Sequence, residues 1–253
     1  MLDRLAKLLP FLFVKDYNCI VCGRELAHPT AEHTCSSCYV KMEFIGEDAC
    51  MKCGRKLVAE EEYCLDCQKN EMHFDRAVAP LSYTGSAAML VRKLKFNNRR
   101  FLASSLARYM TNELLRKNLS ADCVIPVPLY PKRQKERGYN QSELLAREIA
   151  KAFNLPLLTE AAARIKDTLP STKLEGGRRA REENVKDAFV LKDPDAVQNR
   201  DVLVIDDVLT TGATTSELAK VLKRAGANKV YVLTFASTKE RPPIDKDEPI
   251  SLK

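Results

Sequence analysis

The sequence predicts an α/β fold, a parallel sheet with flanking helices, preceded by a small metal-binding module. Three observations carry this. Eight of the nine cysteines fall between positions 19 and 67, in four Cys-x2-Cys pairs. From about residue 75 onward, short apolar runs alternate with segments of helical apolar spacing. One of those runs, 202–205, is wholly apolar, as a strand buried on both faces must be.

Composition sets the outer limits. The chain has 253 residues, 45% hydrophobic and 30% charged, with 9 Gly and 12 Pro. Those proportions exclude a collagen-like, low-complexity or wholly disordered chain. No apolar run reaches the roughly 18–20 residues that span a bilayer. The greasy stretch 8–14 is short and interrupted by Pro10, and an acid at position 3 makes the start a poor signal peptide. The expectation is a cytoplasmic protein. Its parts are a cysteine module over 1–70 with a short N-terminal helix, a larger domain over 71–238, and a disordered tail over 239–253, which is rich in proline and charge.

The cysteine module contains an internal repeat. Cys19-Ile-Val-Cys22-Gly-Arg-Glu-Leu26 returns as Cys50-Met-Lys-Cys53-Gly-Arg-Lys-Leu57, and each copy is followed by a second Cys-x2-Cys. Two cysteines three apart turn both sulfurs inward on a tight knuckle, and the Gly behind them lets the chain fold back. Two knuckles supply four thiolates in a tetrahedron, which suits Zn²⁺. Disulfides and an iron–sulfur cluster are the alternatives, the first disfavoured for a chain kept in a reducing compartment. The repeat favours two sequential sets, Cys19, Cys22, Cys35 and Cys38, then Cys50, Cys53, Cys64 and Cys67. The spacing alone also allows cross-braced pairing. Four protein ligands leave no open position, so two such metals are structural. His33, two residues before Cys35, reads as a solvent-exposed side chain rather than a ligand, and Cys123 as a buried, inert thiol.

In the larger domain, 76–83 reads as a strand, 85–96 and 101–117 as helices, and 123–127 as a strand cut off by Pro126 and Pro128. An amphipathic helix follows over 142–153, then short strands at 188–191 and 201–205. A helix over 214–225 stops at Gly226, and a last strand runs over 229–235. Strands of this kind separated by helices form a parallel sheet covered on both faces.

The segment most suited to chemistry begins at the buried strand. Val202-Leu-Val-Ile is followed by Asp206 and Asp207, then Val-Leu, then Thr210-Thr211-Gly212-Ala213-Thr214 and a helix. Ligands in open α/β sheets bind beyond the carboxyl ends of strands. A helix start offers unpaired N–H groups and the positive end of the dipole to an anion. Gly212 and Ala213 allow a phosphate to approach the backbone, and the threonines add hydroxyl donors. Two carboxylates beside a phosphate site suit the vicinal hydroxyls of a ribose. Neither GxxxxGK[ST] nor GxGxxG occurs in the chain.

All thirteen positions from 202 to 214 fit the signature of type I phosphoribosyltransferases, which the chain therefore resembles. The resemblance implies that Asp206 and Asp207 hold the ribose hydroxyls of phosphoribosyl pyrophosphate (PRPP). It implies that Thr210, Thr211, Gly212, Ala213 and Thr214 hold its 5-phosphate, with Mg²⁺ bound alongside PRPP. A second segment narrows the family. Val124-Ile-Pro-Val-Pro128 leads into a cationic loop, Lys132-Arg133-Gln-Lys135-Glu-Arg137-Gly138-Tyr139-Asn140-Gln141. Behind a cysteine-knuckle head, this is similar to the competence protein F (ComF) family, which pairs a double zinc ribbon with a phosphoribosyltransferase-like domain. By that resemblance Arg133, Lys135, Arg137 and Gly138 meet the pyrophosphate. Arg181-Glu-Glu-Asn184-Val-Lys-Asp-Ala188-Phe189 also fits the family, whereas Ser171 stands where a Gln is usual. The stretch around it reads as a flexible hood, hinged at Gly176 and Gly177.

The net charge is +7, concentrated in three places: +5 over 92–100, +3 over 132–137 and +2 over 178–186, against −3 for the remainder. An anion-lined pocket explains part of it. The competing use is single-stranded DNA, since basic stripes bind phosphate backbones and the ComF resemblance implies a part in DNA uptake. The aromatic share is only 7%, although Phe96, Phe101, Tyr130 and Tyr139 flank the basic clusters. The sequence thus supports a PRPP-dependent pentosyl transferase, a DNA-handling protein of the uptake machinery, or a zinc-ribbon adaptor, with the acceptor and the oligomeric state left open.

Overall fold

The computed structural model describes residues 17–28, 30, 32–58, 60–96, 98–169 and 176–239. The expected N-terminal helix, the tail beyond Lys239 and the hood residues 171–175 lie outside them.

The head carries two short helices, α1 (Ser36–Tyr39) and α2 (Leu65–Lys69), each beginning just after the third cysteine of its set. The larger part follows in the order β1 (Arg76–Val78), β2 (Leu81–Ser82), α3 (Gly85–Phe96), α4 (Leu102–Arg116), β3 (Cys123–Pro126), α5 (Pro131–Arg137) and α6 (Gln141–Phe153). Then come β4 (Ala162–Arg164), α7 (Gly177–Val185), β5 (Phe189–Leu191), β6 (Asp201–Leu209), α8 (Ala213–Arg224) and β7 (Lys229–Ser237). The main sheet has the order β1-β7-β6-β3, with β2 also on β7, and every pairing in it is parallel. Strands β4 and β5 form a separate antiparallel pair. The predicted fold class is what the structure shows.

Strand β6 explains the layering. Its side chains alternate between faces. Leu203 and Ile205 enter one core with α3, α4 and α6. Val202 and Val204 enter the other, with Leu218, Ala219 and Leu222 of α8. The second core also contains Cys50, Cys53 and Cys64, so the second cysteine set is part of the sheet's covering. The first set lies on the opposite face, where Ile20 and Val21 pack against the α4 core. The segment between the sets runs along β1 and β2. Ile45 N–H donates to Pro80 O (3.0 Å), Ser82 N–H to Glu43 O (2.9 Å) and Ala77 N–H to Lys52 O (2.7 Å). An otherwise open sheet edge is thereby covered.

Three expectations need correction. The strand 76–83 is broken at Ala79 and Pro80, because Pro80 has no N–H for the ladder and its carbonyl serves the head instead. The cationic segment after β3 is a helix rather than a loop, with Pro131 at its first position and Gly138 in the left-handed region (φ 78°) closing it. Strand β4 and helix α7 had no counterpart in the sequence reading: β4 has three residues, and α7 is polar almost throughout. Among the described residues no helix is long and apolar enough to cross a membrane.

Candidate functional site

The carboxyl end of β6 opens into a cavity of about 560 Å³. Asp206, Asp207 and the loop from Thr210 to Thr214 line it, as do Arg133 and Arg137. Lys135 and Gly138, expected to join them, are not among the lining residues. The helical conformation of α5 is the reason. Residues 133 and 137 are four apart and share a face, while 135 lies across from them and is exposed.

Ionic and hydrogen-bonding partners hold the acid pair. Lys95 Nζ of α3 is 2.8 Å from Asp207 Oδ2, and Asp207 is almost fully buried. Ser142 Oγ donates to Asp206 Oδ1 (2.8 Å), and the Asp207 N–H donates to the same oxygen (2.9 Å). Burial, reinforced by the neighbouring Asp207 charge, pushes the Asp206 carboxyl up to about 6; Lys95 and Ser142 work against that rise. Burial is the largest influence on Lys95 and would lower it, but the charge and hydrogen bond of Asp207 together with the Asp206 charge hold it above the ordinary lysine range.

Gly138-Tyr139-Asn140 sets the position of Ser142. The Asn140 side chain caps α6 by accepting from Ser142 N–H (3.0 Å), and its Nδ2 donates to Val127 O (3.0 Å) at the end of the β3 loop. The Tyr139 hydroxyl donates to Leu94 O, one residue before Lys95. This motif therefore aligns α3, α6 and the acid pair, while Arg133 and Arg137 before it line the cavity.

Further cations come from segments that the sequence reading did not single out as binding residues. Arg92 and Lys95 on α3, Arg164 on β4 and Arg181 on α7 line the cavity. With Arg133 and Arg137 that makes six basic side chains against two carboxylates. Burial pulls the Arg137 and Arg164 guanidiniums below the usual arginine range, so both gain from an arriving anion. Arg133 has only a 3.5 Å contact with Asp167. Asn184 of α7 accepts from Leu169 N–H and donates to Leu169 O, at 3.0 Å each. Lys95 was visible only as one charge in the 92–100 cluster, and nothing local in the sequence marks Ser142 or Arg164.

At the start of α8, Gly212 takes φ 78° as the N-cap. Its underside rests on Met72 and Phe74; a Cβ there would lie 3.3 Å from Met72 Cε. The first-turn N–H groups of α8 have no partner within the helix, and the residues that carry them, Ala213, Thr214 and Thr215, line the cavity.

The cysteines form two sequential sets, 19/22/35/38 and 50/53/64/67, each with its sulfurs within 4.8 Å of one another. Separations of 3.8 Å for Cys22–Cys35 and 3.6 Å for Cys53–Cys64 match the edge of about 3.8 Å expected for a tetrahedron with Zn–S bonds of ~2.3 Å. Both sets fit Zn²⁺ with no further ligand. His33 belongs to neither set. It is half-buried rather than exposed, stacked on Tyr17 (6.0 Å) with Nδ1 3.0 Å from Ser105 Oγ. Cys123 is fully buried on β3, and burial pushes its thiol up.

The family model for the double zinc ribbon domain matches residues 8–68. Competence protein F of Haemophilus influenzae is 30% identical, over 87% of this chain and 97% of that protein. DNA utilization protein YhgH of Escherichia coli O157:H7 is 33% identical, over 75% of this chain and 84% of the relative. Competence protein ComFC of Streptococcus pneumoniae is 30% identical, over 79% and 86%. Among solved structures, the allosteric regulatory enzyme of purine biosynthesis matches 57% of this chain and 30% of its own, at 17% identity and a TM-score of 0.37.

Proposed function

The chain belongs to the competence protein F family, and from that premise we propose that it binds PRPP in the β6 cavity and transfers its pentosyl group. The observation that carries the reading is the acid pair Asp206–Asp207 set beside the 210–214 loop, in one cavity with six basic side chains. The carboxylates accept from the ribose hydroxyls, and the first-turn N–H groups and threonine hydroxyls hold the 5-phosphate. Arg133, Arg137 and Arg164 meet the pyrophosphate and stabilise its charge as the bond to C1 breaks, which is where fixed cations in a partly dry site act most strongly. Asp206 and Asp207 are also the hard oxygen donors within reach of a Mg²⁺ that travels with PRPP. When bound, that ion neutralises pyrophosphate charge and holds the substrate's oxygens in one geometry. Lys95, 2.8 Å from Asp207 Oδ2, holds that carboxylate in place at the cavity wall. On this reading the protein works in the cytoplasm with its eight metal-binding thiolates reduced.

Calorimetric titration with PRPP and Mg²⁺ tests the proposal. Binding by the wild-type chain that is lost in Asp206→Ala/Asp207→Ala is expected; absence of heat with the wild type would sink it.

A second reading, single-stranded DNA, has its own observation. Three arginines lie over aromatic faces: Arg99 over Phe101 (5.8 Å), Arg100 over Tyr139 (4.7 Å) and Arg137 over Phe96 (5.3 Å), the last pair lining the cavity. Phe96 and Phe101 are 71% and 61% exposed. Alternating guanidinium and ring faces suit stacked bases and a phosphate backbone. A mobility-shift series in salt decides: Phe96→Ala/Phe101→Ala weakens binding on this reading, and no shift at about 50 mM salt removes it.

A further inference from the structure

Arg55 belongs to the second cysteine knuckle, two residues after Cys53, and is only 4% exposed. Its guanidinium forks between two acceptors. Nη1 donates to Asp66 Oδ2 (2.7 Å) on α2, inside the head, and Nη2 donates to Thr210 O (2.9 Å), at the start of the loop that lines the cavity. The same carbonyl accepts from Thr238 Oγ1 (3.2 Å). Two donors thus hold one peptide plane. Because a trans peptide points its N–H opposite to its C=O, fixing the Thr210 carbonyl toward the head turns the Thr211 N–H toward the cavity. A loop that binds an anion needs that orientation, since a carbonyl turned inward would repel a phosphate. The strap that leaves the second cysteine set completes the support. Met72 and Phe74 lie under Gly212, and the His73 N–H donates to Ser216 Oγ (3.0 Å) in the first turn of α8.

We propose that Arg55 is a positioning residue of the phosphate loop, tying its peptide orientation to the second cysteine cluster and leaving it independent of the first. The inference rests on the PRPP reading for its ligand, but not for its geometry. Arg24 is the equivalent residue of the first copy and is exposed, so it serves as the control.

The experiment measures three quantities on Arg55→Ala, Arg55→Lys and Arg24→Ala: zinc content, PRPP·Mg²⁺ affinity, and amide exchange at Thr211 without ligand. With both metals retained, Arg55→Ala is expected to weaken PRPP binding and speed Thr211 exchange about tenfold or more. Arg55→Lys keeps the charge but reaches only one of the two acceptors, so exchange rises about threefold or more. Arg24→Ala stays within about twofold of wild type in both. If Arg55→Ala sheds its second metal, Arg55→Lys decides: faster Thr211 exchange with metal held supports the proposal, and unchanged exchange overturns it. A wild-type protein that binds no PRPP removes the ligand reading, while the ligand-free exchange still judges Arg55.

Discussion

The first and second cysteine clusters share their internal bonding almost bond for bond. Cys19 N–H donates to Arg24 O (2.7 Å) as Cys50 N–H does to Arg55 O (2.9 Å), and Gly23 and Gly54 each donate to the first cysteine's carbonyl at 2.8 Å. Cys35 N–H points at Cys19 Sγ (3.4 Å) as Cys64 N–H does at Cys50 Sγ (3.3 Å). Their surroundings differ. The first copy sits on α4, where the Tyr109 hydroxyl donates to Thr34 Oγ1 (3.0 Å), and its Cys22 is exposed. The second copy is buried under β1 and α8, with Cys53 1% exposed and Cys64 likewise. One repeated segment therefore makes two equivalent metal sites, and only the second is built into the support of the candidate ligand site. The difference lies in what each knuckle touches rather than in how it holds a metal.

The glycines of the two knuckles test that difference with one substitution on each side. Gly23 and Gly54 both have positive φ, 76° and 66°, so an alanine at either costs about 1–2 kcal/mol in backbone strain. A Cβ at Gly23 meets nothing within 4 Å, whereas one at Gly54 lies 2.5 Å from Ala77 O and 2.9 Å from Val78 Cα. Those atoms are backbone of β1 and move only with the sheet. Gly54→Ala is expected to cost about 1–3 kcal/mol more than Gly23→Ala, seen as a melting point lower by several degrees. It should also weaken PRPP binding, because the knuckle that carries Arg55 is pushed off the sheet. Equal melting points for the two variants would show that the second copy is no more deeply seated than the first.

The repeat, the two metal sets and the acid–threonine motif were all legible in the sequence, because each is a local spacing of distinctive residue types. So were most strands and helices, whose apolar periodicity reports burial directly. What was hidden came from tertiary placement. Nothing in Cys-Gly-Arg distinguishes Arg55 from Arg24, since the distinction is made by Asp66 and by Thr210, 155 positions away. Lys95 pairs with Asp207 across more than a hundred residues, and Ser142 reaches Asp206 only because Asn140 and Gly138 turn the chain there. Strand β4 escaped notice because Ala162-Ala163-Arg164 carries no β-branched or aromatic residue, unlike Phe189-Val190-Leu191 of the equally short β5. Lys135 stays out of the cavity lining because the cationic run is a helix, which turns only one face inward, whereas a loop would let any of its side chains reach in.

The second cluster braces the 210–214 loop through Arg55 but does not touch the acid pair, so altering Asp206 should separate the chemistry of the candidate site from its support. Asp206 is raised from 3.8 to about 6, chiefly by burial. The folded chain therefore holds a proton that the unfolded chain releases between about pH 4 and 6. The stability linked to this group is fullest below about pH 4 and is lost as pH rises through about 6, leaving a cost of on the order of 3 kcal/mol at neutral pH as a ceiling. Asp206→Asn removes that charge while keeping an oxygen for Ser142. The variant should melt several degrees above wild type near pH 8 and close to it near pH 4. Both metals, and the Thr211 exchange rate of the wild type at the same pH, should be retained. On the proposed reading PRPP affinity is expected to run the other way in the wild type, because the ionised carboxylate is the stronger acceptor for ribose hydroxyls: it should weaken as pH falls below about 6, and the variant should lack the dependence along with most of the affinity. Melting curves and titrations at the two pH values check both slopes. A variant that melts no higher than wild type at pH 8 would mean that the buried acid imposes no cost, and that its ionisation is already compensated by Lys95.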